Sequence, residues 1–137
     1  MGKRKKPRVS YPDELLWEVS WTFRGHVFAD RAAFDAAVTE FQSADSSDVW
    51  RPNEVVLHAH RVRVSPDVHW HLTDDHPTAE FAADNGSSFT AGELLFKVHN
   101  RFVSELQQMD HKYFEGLTLD EDSDPGETPL YGLDLGS

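Results

Sequence analysis

Apolar and polar residues alternate from Trp17 to Phe23. Trp17, Val19, Trp21 and Phe23 fall on one side, and Glu18, Ser20 and Thr22 on the other. A period of two over seven residues predicts a half-buried strand. Gly25 loosens the chain, and beyond it the period lengthens. Phe34, Ala37, Val38 and Phe41 recur at helical spacing, and Asp30 before them is a good N-cap. A helix is therefore predicted over 31–42. The polar run 43–48 ends it without a glycine cap.

A second helix is written more strongly. Thr90 and Glu93 stand three apart as an N-cap and N3 pair, the spacing of a capping box. Phe89 and Leu94 flank them at the positions of a hydrophobic staple. Leu95, Val98, Phe102 and Leu106 carry the apolar stripe to about residue 108. His99 lies beside that stripe and reads as a histidine at the edge of the core, hydrogen-bonded by its surroundings. Two further strands are predicted at 112–119 and 129–136. The turn-rich polar loop between them suits a hairpin connection. A short strand around 79–83 precedes the Asn85-Gly86 turn signal.

Residues 55–73 hold two His-x-His pairs, His58/His60 and His69/His71, around Ser65-Pro66-Asp67. Four imidazoles so close raise the question of a metal. If the turn has three residues, Val64 pairs with Val68, Val62 with Trp70, and His60 with Leu72. The apolar face then carries His58 and His60, while His69 and His71 point the other way beside Arg61 and Arg63. Side chains alternate across a strand, so the two pairs cannot share one ion in that register. Either pair could bind zinc weakly with a third ligand, but no residue is identified as that ligand. No metal and no cofactor are expected.

The order of elements is strand, helix, two or three strands, helix, two strands. It predicts an α+β fold, a mainly antiparallel sheet with two helices packed on it. The chain has 137 residues, 39% of them hydrophobic, with nine Phe, four Trp and three Tyr, which suffices for one packed domain. That domain is expected over 11–137, preceded by a disordered basic tail at 1–10. Cysteine is absent, which removes disulfides, thiolate ligands and a Cys nucleophile. No apolar run reaches the roughly 18 residues of a membrane span, and no signal-peptide core is present. A cytoplasmic setting is expected.

Charge is unevenly placed. Lys3, Arg4, Lys5, Lys6 and Arg8 hold five of the 13 basic residues, and no acid precedes Asp13. From residue 9 onward, eight basic residues face 24 acidic ones, a net charge of −16. Such a body repels phosphate backbones and attracts basic partners over about a Debye length. Nucleic acid is therefore not the expected partner.

Motifs that carry catalysis are missing. There is no G-x-S-x-G elbow, no phosphate-cradling G-x-x-x-x-G-K-[ST], no G-x-G-x-x-G and no H-E-x-x-H. The acidic run from Asp120 has Pro125 and Tyr131 where an EF-hand needs its glycine and bidentate glutamate. Acid–base catalysis by residues distant in sequence has no specific support.

One resemblance adds to this reading. The Phe-Thr-Ala-Gly-Glu helix start at 89–93, Val98-His99-Asn100, Tyr113-Phe114-Glu115-Gly116-Leu117 and the closing Leu135-Gly136-Ser137 resemble small bacterial immunity proteins of polymorphic toxin systems. The likeness is confined to the C-terminal half. It implies a non-enzymatic protein that binds and neutralises a cognate toxin, and it transfers no site residue. Charge suggests that the partner is a basic protein. The candidate partner-binding residues are then Asp120, Glu121, Asp122, Asp124 and Glu127, five carboxylates within eight positions. The alternatives are a non-catalytic interaction module with another partner, or a metal-dependent hydrolase built on the histidine-rich strands.

Overall fold

The computed structural model describes residues 11–42, 49–66, 78–107, 112–120 and 128–136. Its elements run β1 (Glu14–Leu15), β2 (Trp21–Thr22), α1 (Arg31–Phe41), β3 (Val55–Leu57), β4 (Arg61–Pro66), β5 (Ala79–Ala82), β6 (Phe89–Thr90), α2 (Ala91–Leu106), β7 (Tyr113–Leu119) and β8 (Leu130–Gly136). The fold is α+β, as predicted. One sheet has the order β1-β7-β8-β4-β5, with β2 also on β7, and a small second sheet joins β3 to β6. The pairings are antiparallel except β4 with β8, which is parallel. Among the described residues no helix is long and apolar enough to cross a membrane.

Alternation assigns the two faces of the sheet. Val62, Val64, Phe114, Leu117, Tyr131 and Leu133 turn inward and are buried in one core with both helices. The opposite face shows Arg61 and Arg63 on β4, Gly132 and Asp134 on β8, and Glu115 and Thr118 on β7. Helix α2 supplies the largest share of the core. Leu94, Leu95, Val98, Phe102 and Leu106 are all buried, which accords with their helical spacing.

Both caps predicted from sequence form. The Asp30 carboxylate accepts from the Ala33 amide at 2.8 Å, and the Thr90 hydroxyl from the Glu93 amide at 3.2 Å. The second half of the capping box is replaced. Glu93 accepts instead from the Asp84 amide and from Lys97, both through Oε2. Its carboxylate thereby ties α2 to the turn after β5. Phe41, predicted in the core stripe of α1, is 38% exposed at the helix end, where its ring packs edge-on against Trp21.

The histidine-rich segment departs from the prediction. Ser65 and Pro66 belong to β4 and pair with Gly132 and Leu133, so they are strand rather than turn. Val62 pairs with Phe81, and Val64 with Ala79 on one side and Tyr131 on the other. A strand has two edges, and at Val64 both are taken, which excludes the Val64–Val68 register. His58 and His60 are not on the apolar face; both are exposed. The reason is a break between β3, which leaves to pair with β6, and β4, which starts at Arg61. His69 and His71 lie outside the described residues, as does the basic tail. The short strand predicted around 79–83 forms as β5.

Candidate functional site

The period-two stretch 17–23 is not one strand. The chain pairs with β7 at Leu15↔Leu117, leaves it, and returns at Trp21↔Phe114. Between these contacts it folds into an elbow. Leu16 has φ +59°, a left-handed conformation that branched and bulky residues seldom take, and the Val19 amide closes the turn onto the Leu16 carbonyl at 3.1 Å. Val19, Trp21 and Phe23 do reach the core as their alternation predicts. Trp17 does not. The reversal at Leu16 turns its side chain outward, and it is 60% exposed.

The strand beneath the elbow is shaped to receive it. β7 shifts register between Phe114 and Gly116, so that Glu115 and Gly116 together oppose Asp134. Such bulges bend a strand and re-aim its side chains. Gly116 has φ +113°, and a Cβ there would lie 2.9 Å from the Trp17 Cα and 3.2 Å from the Leu15 carbonyl oxygen. Only glycine lets the two backbones come this close. On the far side of the elbow, the Gln42 amide that caps α1 grips Ser20 twice. It accepts from the Ser20 amide at 3.0 Å and donates to the Ser20 carbonyl at 2.6 Å. Trp17 is thus held out from a fixed support.

The surroundings of Trp17 carry one sign of charge. Residues 13–20, 113–119 and 130–136 contain Asp13, Glu14, Glu18, Glu115 and Asp134, and no Lys, Arg or His. Glu14 faces outward opposite Thr118, whose hydroxyl donates to Asp134. Asp13, Glu14, Glu18 and Glu115 form no ion pair among the described residues. Six of the eight cations among the described residues are occupied elsewhere. Arg31 holds Asp35, Arg61 holds Glu80, Arg101 holds Glu105, and Lys97 holds both Glu93 and Asp84. Arg63 donates twice to the Thr128 carbonyl, and Lys112 donates to that of Gln107.

Directly beneath this region, the core contains a polar pair. His99 is fully buried, not at the core edge. Its Nδ1 accepts from the Trp21 indole N–H at 3.1 Å, which places the proton on Nε2, where it donates to the His26 carbonyl at 3.0 Å. Phe23 stacks on the ring, and Phe28 and Phe34 close around it. Burial holds the imidazole pKa below its ordinary value, so the ring is neutral. Every polar atom of this group has a partner, and none is spare for a ligand. Its role is to fix β2 against α2.

A groove of about 520 Å³ opens where β4 and β8 begin, between Tyr11, His60, Arg61, Arg63, Glu80 and Thr128. Two arginines line it, but one is committed to Glu80 and the other to Thr128, so the groove is braced rather than charged for capture. Among the described residues no three His, Asp or Glu side chains converge as a metal site would need.

Of the acidic loop predicted as the partner site, Asp120 is described. It follows β7, and its amide donates to the Leu130 carbonyl at 2.9 Å, closing the hairpin stem. Glu121, Asp122, Asp124 and Glu127 lie outside the described residues. Sequence reading missed Trp17 because it lies in phase with Val19, Trp21 and Phe23. The one available signal was Gly116, a glycine inside an otherwise apolar strand, which marks a bulge or a close backbone approach. Comparison of the chain with protein-family models, with curated proteins and with solved structures finds no match.

Proposed function

We propose that this chain is a non-catalytic, immunity-type binding protein of the cytoplasm that sequesters a basic protein toxin. The observation that carries the reading is the elbow: an exposed tryptophan on a rigid support, rimmed by Glu14, Glu18 and Glu115, which form no ion pair among the described residues. Interfaces draw much of their energy from a few aromatic anchors set in otherwise near-neutral contacts. Rigid anchors lose less entropy on binding than mobile ones. The net charge of −16 beyond residue 8 adds long-range attraction for a cationic partner and speeds encounter. Asp120, Glu121, Asp122, Asp124 and Glu127 contribute to that field from the β7–β8 connection.

The test is co-expression with the product of the neighbouring gene. Growth arrest by that product alone, relief by this chain, and a one-to-one complex by calorimetry are the expected results. A neighbouring product that arrests growth equally with and without this chain overturns the immunity reading. A stable complex with a harmless basic protein favours the second reading, an interaction module with another partner, because the same surface serves either.

A further inference from the structure

We propose that the Trp17 elbow is a guanidinium-binding surface, so that the partner segment it accepts presents arginine rather than lysine. This rests on the reading of the domain as a binder of basic protein. It goes further in assigning the contact to one side-chain chemistry.

Three observations converge on it. The indole of Trp17 is 60% exposed and, among the described residues, makes none of the ring contacts that occupy Trp21, Phe28 and Phe34. Its face is therefore available. Tryptophan offers the strongest ring face for a cation, and arginine stacks on it as a planar, weakly hydrated ion where lysine remains a hydrated point charge. Glu14, Glu18 and Glu115 lie on the same elbow and on the strand beneath it. A carboxylate accepts two parallel N–H bonds from a guanidinium, a geometry an ammonium cannot reproduce. The third observation concerns the floor. Gly136 on the outer face of β8 raises no side chain of its own, and the Glu115 side chain lies across it. An arginine stacked on Trp17 can then direct its guanidinium to the carboxylate rim.

The backbone restraints give this arrangement its selectivity. The left-handed Leu16, the Gly116 contact and the two Ser20–Gln42 bonds fix where the indole stands before any partner arrives. A preformed ring beside preformed carboxylates discriminates between cations by shape. A mobile acidic tail would sense only their charge.

The test uses labelled nona-arginine and nona-lysine peptides, which carry equal charge, in anisotropy titrations against the full chain at 0.15 M salt. The wild type should bind the arginine peptide about three- to fivefold more tightly, the range of one exposed cation–π contact. Trp17→Ala should weaken nona-arginine binding about three- to fivefold more than nona-lysine binding, removing that preference. Trp17→Phe, which keeps a ring on the same support, should retain part of it. Glu14→Gln with Glu18→Gln should weaken both peptides. Equal affinity of the two peptides for the wild type overturns the inference, as does a preference that survives in Trp17→Ala. Either result would leave capture of a basic toxin standing, because that is read separately in the co-expression assay. Failure of that assay with the arginine preference intact would remove the toxin and keep the surface.

Discussion

Replacing His99 with Leu tests the buried polar pair at the centre of the molecule. Leucine is close to histidine in volume, so little cavity forms, but the Trp21 indole N–H loses its acceptor inside a shell of Phe23, Phe28 and Phe34. A buried donor left without a partner costs about 1–3 kcal/mol. The His26 carbonyl also loses its donor, yet His26 is exposed and water can replace it. The expected loss for His99→Leu is therefore about 1–3 kcal/mol, nearly all of it at Trp21. Trp21→Phe should also destabilise, and the double variant should cost less than the sum of the two, since removing both partners leaves no orphan. Urea denaturation of the four proteins at pH 7.5 measures this directly. Repeating it at pH 5.5 supplies the second half of the test. The folded pKa of His99 lies below its ordinary value, so the unfolded chain takes up a proton that the folded chain refuses. Stability from this group is complete above pH 6.5. It falls toward the folded pKa, with a slope of at most about 1.4 kcal/mol per pH unit, and is flat below. His99→Leu should lose that part of the acid sensitivity. Strict additivity in the cycle, together with identical acid sensitivity in the wild type and His99→Leu, would show that the Trp21–His99 bond contributes nothing to the fold.

Phe102→Ala should cost about 3–5 kcal/mol in urea denaturation, because the ring is 1% exposed on the longest apolar stripe; an unchanged midpoint would contradict its place in the core. Gly116→Ala should destabilise by about 1–3 kcal/mol from backbone strain alone, and a Cβ pressed on the Trp17 backbone should also change the tryptophan emission. An emission spectrum and midpoint equal to the wild type would mean that the elbow does not rest on that strand. Asp120, Asp122 and Asp124 changed together to Asn should slow association with the basic partner and flatten its salt dependence, with little change in stability. Surface plasmon resonance at low and physiological salt reads both, and an unaltered on-rate would take the loop out of the steering field.

Periodicity made most of the fold legible. Helix α2 was readable because a cap, a staple and a stripe agreed over 17 residues, and β7 and β8 because their alternation was bounded by turn residues. The errors fell where a local pattern was overruled by pairing far away in sequence. Residues 61–66 hold their apolar alternation, but their partners are β5 and the parallel strand β8. Nothing near Ser65-Pro66 announces a parallel neighbour some 65 residues on. The candidate site was legible only in its charge. Acidity at 13–18 and in the β7–β8 region is plain in the composition, whereas the exposure of Trp17 follows from one left-handed residue and one glycine that touch across two strands. His99 was recognised as a hydrogen-bonded histidine. Its depth in the core was not, because its partners, Trp21 and the His26 carbonyl, lie more than 70 residues away.

The strand order carries a consequence for how the protein is made. β8 lies in the middle of the sheet, between β7 and β4, yet it is drawn from residues 130–136. The Tyr131 hydroxyl reaches back across 119 positions to the Pro12 carbonyl. Until that strand leaves the ribosome, β4 and β5 have no neighbour linking them to β7, and the core that they share with the helices lacks Tyr131 and Leu133. Topologies dominated by such distant contacts fold slowly, in roughly milliseconds to seconds, because loop closure must precede the gain from pairing. A nascent chain stalled before residue 130 would present two half-sheets and two helices without the strand that joins them. That intermediate is the form most exposed to aggregation and proteolysis, and the final seven-residue strand acts as the keystone that ends the risk.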